Sequence, residues 1–233
     1  SLSGNIALAP FDLRKFMKTL NQEVPKTADP NVLKRVALSA SFDGTGTSLN
    51  LKELKAELDE TRLQGKINLK NMSPLDIEFG LGVDKLNADL YLPPATDKKK
   101  SKKAATPEAV AAGVATKIPV ETLRAIKIKG DFEMDEFVIS KAKLTDLKLS
   151  VRANDGDIKL LPAATLYEGT YGGDITLDAK GNEPKLAINT KLTGVKTELL
   201  LKDVAGTADL LGEANMSFNL SSSGADTNAL KSR

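Results

Sequence analysis

Three clusters of carboxylates are the residues of this chain best suited to chemistry. Two converging carboxyl groups could act as general acid and nucleophile in glycoside hydrolysis. The clusters lie on predicted strand faces and in turns, where acidic side chains are ordinarily solvated, and the chain has no Trp to stack on a sugar. We therefore predict that the protein is not an enzyme. The clusters are Glu57/Asp59/Glu60, Asp131/Glu133/Asp135/Glu136 and Asp155/Asp157.

The chain contains neither His nor Cys, which narrows the chemistry further. A Ser-His-Asp triad, a thiol nucleophile, a disulfide framework and a zinc site of the usual kind each need one of these residues. We accordingly predict no cofactor and no metal site. Function must then come from the architecture of the chain.

The net charge of +2 is placed unevenly. The segment 94–117 holds six lysines against Asp97 and Glu108, so the rest of the chain is slightly acidic. The chain outside residues 94–117 therefore lacks the clustered positive charge that is typical of a nucleic-acid-binding protein. The run Lys98–Lys103 has two interpretations: a patch for anionic lipid or a partner, or a solvated, flexible insertion loop.

One stretch of sequence occurs twice, at Thr61–Leu92 and at Gly169–Leu201. Each copy consists of an alternating strand, a Pro-marked turn, a second alternating strand and a short segment with helical spacing. A repeat of this kind is first a signal of fold. It predicts a β unit at 1–93, a flexible Lys/Ala/Thr-rich loop at 94–117, and a second β unit at 118–233 with one extra hairpin.

The apolar residues alternate with polar ones along most of the chain, which is typical of antiparallel strands with one apolar face. We predict a mainly β fold with short helices (α+β), in which a curled antiparallel sheet of two repeated units forms a groove or a partly open barrel and is capped by short amphipathic helices. A change of alternation predicts a β-bulge or a break of the strand near Lys52–Glu53, and Asn154-Asp155-Gly156 predicts a tight turn. The sheet could close into a barrel or sandwich with a filled core, or stay an open groove whose apolar lining is left for a ligand.

Proline residues and helical spacing indicate where the helices begin. Pro10 and Pro30 each suit the first turn of a helix, the second with Asp29 as its N-cap. A further helix is expected to start at Asp226. No run of about 18 apolar residues and no signal peptide is present. Because the chain opens directly into patterned sequence, we expect it to be a piece of a longer protein.

Seven segments of this chain contain motifs that occur together in one order. They are Phe11–Arg14, Pro25–Pro30, Leu33–Val36, Leu58–Gly65, Asp89–Pro94, Leu166–Gly173 and Leu199–Asp203. The most specific are the Asp-Glu-Thr and Leu-Tyr-x-Gly-x-Tyr-x-Gly pieces. In type and order these motifs resemble those of the AsmA family of bacterial envelope proteins, over essentially the whole length of the chain.

This resemblance implies a periplasmic protein with an N-terminal inner-membrane helix that is absent from this sequence. It also implies a role in outer-membrane biogenesis, outer-membrane protein assembly, or phospholipid movement along an apolar groove. The implied partners are phospholipid and envelope or outer-membrane assembly proteins, without nucleic acid, and we expect the fragment itself to be monomeric. No catalytic motif is carried over.

Two functional hypotheses follow, namely a conduit that shields acyl chains in an open groove, and a scaffold with a closed, dry core whose edges pair with partner strands. For each candidate lining residue the alternative is an ordinary place in a dry core. The candidates are Ile67, Leu69, Ile77, Phe79, Leu81, Val83, Ile175, Leu177, Leu186, Ile188 and Leu192.

Overall fold

The computed structural model of the chain describes residues 1–93 and 120–224. These residues form eleven strands, three α-helices and one 3₁₀ helix. The strands are β1 (Leu2–Phe11), β2 (Val36–Gly44), β3 (Leu49–Leu58), β4 (Thr61–Met72), β5 (Leu75–Asn87), β6 (Lys127–Ile139), β7 (Ala142–Asn154), β8 (Asp157–Leu166), β9 (Gly169–Asp178), β10 (Lys185–Lys196) and β11 (Glu213–Ser223). The helices are α1 (Leu13–Thr19), the 3₁₀ helix (Ala88–Leu90), α2 (Val120–Ala125) and α3 (Thr197–Ala205).

All eleven strands belong to one curled sheet, and their order in space is their order along the chain. Within the described ranges no strand pairs with the outer edge of β1 or of β11, so the sheet is not closed. The prediction of a mainly β fold with few short helices is thus confirmed. Of the two geometries that the alternation left open, closure into a barrel is wrong.

The expectation of a wholly antiparallel sheet is wrong at one place. Nine of the ten strand pairings are antiparallel, and β5 with β6 is parallel, with Ile77 opposite Ile128. The chain leaves β5 through the 3₁₀ helix at one margin of the sheet and enters β6 through α2 at the opposite margin. A return of this kind brings the next strand in parallel to the last.

The predicted β-bulge is confirmed at Lys52–Glu53. Leu51 lies opposite Ile67 of β4, but Leu54 lies opposite Gly65, so β3 has one extra residue there. Glu53 takes the positive φ of 50°. The bulge keeps the apolar residues on one face on both sides of the irregularity, which explains the change of alternation in the sequence.

The tight turn predicted at Asn154-Asp155-Gly156 is also confirmed. It joins β7 to β8, and Asp155 and Gly156 have φ values of 49° and 82°. Positive φ at both central residues is the requirement of a type I′ turn, whose twist matches that of the flanking strands.

The helices differ from their predicted positions. Pro10 is still part of β1, and α1 begins only at Leu13, where the Asp12 carboxylate accepts a hydrogen bond from the backbone N–H of Lys15 (2.9 Å). Asp29 does not begin a helix: its carboxylate accepts from the backbone N–H of Asn31 (2.7 Å), which closes a turn instead. The segment that starts at Asp226 lies outside the described residues.

The core is thin because, within the described ranges, no second layer of secondary structure packs over the apolar face of the sheet. No residue of α1, α2 or α3 is fully buried, since these helices lie at the ends of strands. We call the margin formed by α1, the 3₁₀ helix and α3 the helical rim. The fully buried hydrophobic residues are Val32, Ala40, Leu54, Val83, Met134, Ala153, Ala164, Ala179 and Val195.

The boundaries predicted at 1–93, 94–117 and 118–233 remain a prediction. The sheet itself runs without interruption from the first predicted unit to the second through the β5–β6 pairing. The predicted loop at 94–117, including Lys98–Lys103, lies outside the described residues.

Candidate apolar binding face

The eleven predicted lining residues lie on one face of the sheet. Within β4 and β5, Ile67 is directly opposite Phe79 and Leu69 is opposite Ile77. Within β9 and β10 the matching pairs are Ile175 with Ile188 and Leu177 with Leu186. Side chains that face each other across two strands project from the same face. The remaining members, Leu81, Val83 and Leu192, continue these two groups along β5 and β10.

Strands β6, β7 and β8 separate the two groups of candidates, and their residues join the groups into continuous rows. The first row crosses all eleven strands through successive register partners. It consists of Gly4, Phe42, Leu51, Ile67, Phe79, Gly130, Val151, Leu160, Ile175, Ile188 and Leu220.

The second row runs parallel to the first and is displaced from it by two residues on each strand, away from the helical rim. It is apolar from β1 to β10 and ends in a serine on β11. It consists of Leu2, Gly44, Leu49, Leu69, Ile77, Ile128, Ala153, Ile158, Leu177, Leu186 and Ser222. The two rows are about 7 Å apart, and ten strand spacings give each a length of about 48 Å.

The sequence prediction missed the residues that connect the two groups of candidates. In the first row these are Gly130, Val151 and Leu160, and in the second they are Ile128, Ala153 and Ile158. Their alternation was visible in the sequence. Which of them continues which row depends on the β5–β6 register, and the sequence pattern does not contain that register.

The rows are only partly covered by protein. Val83 is the one predicted lining residue that is fully buried, with 7% of its surface exposed, and the other ten are partly exposed. In an ordinary two-layer fold such residues would be sealed by the second layer. Here the two rows form an open apolar surface along the curled sheet, which we call the apolar strip.

Two phenylalanines of the first row lie against glycines. A Cβ atom added at Gly130 would overlap the Phe79 ring, and one added at Gly4 would be 3.0 Å from Phe42 Cζ. The ring of Phe79 therefore occupies the space above Gly130 at the parallel β5–β6 junction. This contact explains why a glycine stands in the middle of an otherwise apolar row.

The opposite face of the sheet is polar, and opposite charges pair across its strands. Examples are Lys52 with Asp43 (2.6 Å) and Lys159 with Asp174 (2.8 Å). A shallow depression of about 630 Å³ on this face is lined by charged side chains that include Lys70 and Glu78, themselves paired at 2.5 Å. Alternating, solvated charges of this kind keep the face in water.

The acidic clusters of the sequence are used for structure in the described ranges. Glu57 pairs with Arg35 (2.9 Å), and Asp157 pairs with Lys180 (2.9 Å). Asp131 accepts hydrogen bonds from Ser150 and Arg152. No group of three or more acidic residues in the described parts of the chain converges to hold a metal ion.

Asp59 organises the helical rim in the first half of the sheet. Its carboxylate accepts hydrogen bonds from the backbone N–H groups of Leu33 (2.6 Å), Lys34 (2.9 Å) and Arg35 (3.0 Å). Partial burial opposes its ionisation, but these donors and the Tyr91 hydroxyl (3.0 Å) outweigh burial and lower the pKa of Asp59. Burial and the contact with Asp59 raise the pKa of Tyr91 to about 12.

A tyrosine takes the corresponding position in the second half of the sheet. The Tyr167 hydroxyl accepts from the backbone N–H of Lys143 (3.1 Å) and donates to the Asp203 carboxylate of α3 (2.8 Å). Nearby, the Asp89 carboxylate of the 3₁₀ helix accepts from the backbone N–H groups of Ser140 (2.6 Å) and Lys141 (2.7 Å). These contacts fix the ends of the strands along one side of the apolar strip.

The geometry defines a class of protein: a single open β-sheet with an extended apolar strip on one face and a charged, solvated face on the other. A comparison with family models then gives a match to the AsmA family over residues 10–232. The chain belongs to the AsmA family, as its motifs predicted. Neither a comparison with curated proteins nor one with solved structures gives a match.

Members of the AsmA family have in general a role in envelope biogenesis or in a process related to lipid transport, and they are generally not enzymes. The protein is accordingly envelope-associated. Among the described residues, none of the helices has the length and apolarity needed to cross a bilayer.

Proposed function

We propose that this chain is a non-enzymatic module in which the apolar strip is the floor of a groove that shields phospholipid acyl chains while they move between two membranes. We place it in the periplasm, attached to the inner membrane through an N-terminal helix outside the present sequence. The eleven predicted lining residues and the six residues that connect them would form the lipid contact surface.

The observation that carries the proposal is the continuity of the first row. It runs from Gly4 to Leu220 without a polar residue, and most of its members are partly exposed. A continuous apolar surface that the protein leaves uncovered suits a ligand that is itself long and apolar.

The energetics favour sliding over tight binding at one place. Each methylene group that leaves water contributes about 0.8 kcal/mol. Because the rows repeat the same aliphatic surface at each strand, an acyl chain exchanges one set of contacts for an equivalent set as it moves. Such a groove gives affinity without a deep minimum that would hold the lipid.

Native mass spectrometry tests this proposal on chain produced in a bacterial periplasm and purified without detergent. We expect co-purified phospholipid on the wild type and its loss in Ile188→Asp, which puts a charge into the first row. The matched control is Ala187→Asp, which puts the same charge on the opposite face of the same strand. Wild-type protein without lipid, or equal lipid on both variants while both stay folded by circular dichroism, would contradict the proposal.

A second candidate function is a scaffold for outer-membrane protein assembly, and the edges of β1 and β11, unpaired within the described ranges, favour it. Replacing Ile175 by Trp separates the two candidates. A bulky ring fills the groove and should block lipid passage, whereas a scaffold that works through its strand edges should tolerate it. The readout is transfer of a fluorescent phospholipid between vesicles, with Thr176→Trp on the polar face as the control.

A further inference from the structure

The apolar face of the sheet has two further rows, which lie between the apolar strip and the helical rim. They continue the strand register of the strip, with β-bulges between β2 and β3 and between β7 and β8. The third row consists of Ile6, Ala40, Leu54, Gly65, Leu81, Phe132, Leu149, Pro162, Gly173, Thr190 and Phe218. The fourth consists of Leu8, Leu38, Ala56, Leu63, Val83, Met134, Leu147, Ala164, Tyr171, Leu192 and Met216.

Two hydroxyl groups interrupt these rows, and they are neighbours in the interior of the sheet. From β1 to β10 the four rows contain no charged side chain, and only Tyr171 and Thr190 have polar side-chain atoms. Thr190 is directly opposite Gly173, and Tyr171 lies two residues from Gly173 on β9. Such diagonal neighbours are about 7–8 Å apart, which is within reach of an aromatic side chain. We call these two residues the hydroxyl pair.

Neither oxygen of the hydroxyl pair has a partner within the described ranges. Tyr171 Oη and Thr190 Oγ1 make no side-chain hydrogen bond there, and the one buried side-chain oxygen without a partner is that of Ser222 on β11. The two oxygens of the pair are therefore accessible from the groove. Burial among apolar neighbours raises the pKa of Tyr171, so its hydroxyl stays neutral.

Gly173 determines how Thr190 is placed. A Cβ atom added at Gly173 would be 2.9 Å from Pro162 Cγ and 3.2 Å from Thr190 Cγ2. The methyl group of Thr190 thus lies over the glycine, nearer to it than the hydroxyl does. Tyr171 and Gly173 both belong to the Leu-Tyr-x-Gly-x-Tyr-x-Gly segment, whose first tyrosine, Tyr167, lies at the helical rim.

The chemistry of the hydroxyl pair favours a neutral hydrogen-bond acceptor. A phosphate is a poor fit, because no cation of the four rows faces the groove from β1 to β10, and an anion that leaves water without a counter-charge is costly. A hydrocarbon chain is also a poor fit, because it would cover the hydroxyls and leave them unsatisfied. An ester carbonyl is neutral, accepts hydrogen bonds, and is the first polar group at the end of an acyl chain.

Resting on the proposed function, we propose that Tyr171 and Thr190 donate hydrogen bonds to the ester carbonyls of a glycerolipid whose acyl chains lie on the apolar strip. The hydroxyl pair lies on the rim side of the strip. The ester end of the lipid would therefore point toward the helical rim, and the hydrocarbon would lie over the first and second rows. Each such bond replaces one to water, so it orients the lipid without holding it tightly.

Native mass spectrometry with two lipids that differ only in their carbonyl groups tests this proposal. The chain is incubated with vesicles that contain equal amounts of a diester phosphatidylethanolamine and its dialkyl ether analogue of the same chain length, and the bound lipids are resolved by mass. The variants are Tyr171→Phe, Thr190→Val and the double variant, which remove hydroxyls with little change of shape. The matched control is Thr176→Val, the same change on the polar face of β9. All proteins are first compared by circular dichroism and melting temperature.

A hydrogen bond that replaces one to water favours binding by about fivefold. We expect the ratio of bound diester to bound diether lipid to be at least about fivefold higher on wild type than on the double variant. Each single variant should lie between them, and Thr176→Val should match wild type. The ratio on the double variant gives the preference that the two lipids have by themselves.

Three outcomes would overturn the inference. A wild-type ratio equal to that of the double variant overturns it and leaves the proposed function in place, because lipid is still bound. A ratio that falls in Thr176→Val as far as in the double variant also overturns it, since the hydroxyls of the apolar face would not be responsible. Wild type that binds neither lipid overturns the proposed function and the inference together.

Discussion

The two halves of the sheet, β1–β5 and β6–β11, hold the same helical rim by different chemistry. In the first half the Asp59 carboxylate itself collects three backbone N–H groups and the Tyr91 hydroxyl. In the second half the Tyr167 hydroxyl stands between the backbone and the Asp203 carboxylate. An ionised acceptor makes stronger hydrogen bonds than a neutral one, so the backbone of residues 33–35 depends directly on the charge of Asp59, whereas the backbone N–H of Lys143 bonds to the neutral Tyr167 hydroxyl.

The largest effect is expected where the two halves meet. Gly130→Ala places a methyl group into the Phe79 ring and should destabilise the fold by about 1–3 kcal/mol, as overpacking does. In Gly4→Ala the added methyl group lies close only to the tip of the Phe42 ring. Because alanine suits a strand better than glycine does, this substitution on β1 should leave the stability of the fold nearly unchanged. Urea denaturation of both variants measures the difference.

Phe79→Leu provides the control for this prediction. In the double variant with Gly130→Ala the ring is gone, so the two changes should cost less together than the sum of their separate effects. Additive effects would mean that the Phe79–Gly130 contact does not hold the parallel junction.

The second largest effect is expected at the helical rim, where it should distinguish the first half of the sheet from the second. Asp59→Asn removes a charged acceptor and should lower the free energy of unfolding by about 1–2 kcal/mol. Asp203→Asn should cost less, because the Tyr167 hydroxyl can still donate to the amide oxygen of the substituted side chain while it accepts from Lys143. Thermal unfolding under the same conditions compares the stability of the two variants. An equal loss of stability would mean that the two halves of the helical rim do not differ in this way.

A third prediction concerns acid. The folded-state pKa of Asp59 is lowered, so its contribution is fully present above the pKa of an unfolded aspartate, about 3.9, and is lost as pH falls through the lower folded value. Asp59→Asn should therefore be less stable than wild type at neutral pH, and this difference should shrink below that window. Stability curves measured between neutral pH and strong acid check this, with Asp203→Asn as the reference for the second half.

The smallest effect is expected on the polar face, where the halves are alike. Lys52→Gln in the first half and Lys159→Gln in the second each break an exposed ion pair. Exposed pairs of this kind contribute little because water screens them. Both variants should match wild type in melting temperature, and a clear loss in one half alone would show that its charged face has a structural role.

Local features of the fold could be predicted from the sequence because they depend on neighbours along the chain. The bulge at Glu53 follows from a change of alternation, and the turn at Asp155-Gly156 follows from its residue types. The shared face of the eleven residues predicted to line a groove follows from the two-residue period of a strand. Family membership followed from motifs such as Leu166–Gly173, and the family comparison confirms it.

Features that depend on distant segments could not be predicted in the same way. The parallel β5–β6 pairing is set by the path of the chain between two margins of the sheet, and the alternation of β5 or β6 would suit either direction. A turn replaces the helix expected at Asp29. The backbone that follows this turn is held by two side chains: Arg14 Nε donates to Val32 O (2.6 Å), and the Asp59 carboxylate accepts from the N–H of Leu33. Tertiary contacts there override a local capping signal.

The order of the strands in the sheet has a consequence for how the protein forms. Because every strand pairs with its neighbour along the chain, most pairings close over a short turn, and low sequence separation favours fast folding. A chain that emerges from its amino end can add one strand at a time to a growing template. The β5–β6 step, which spans residues 88–126, is the longest closure in that series and should be the slowest. Refolding should accordingly show amides within β1–β5 and within β6–β11 protected from hydrogen exchange before the amides that pair β5 with β6.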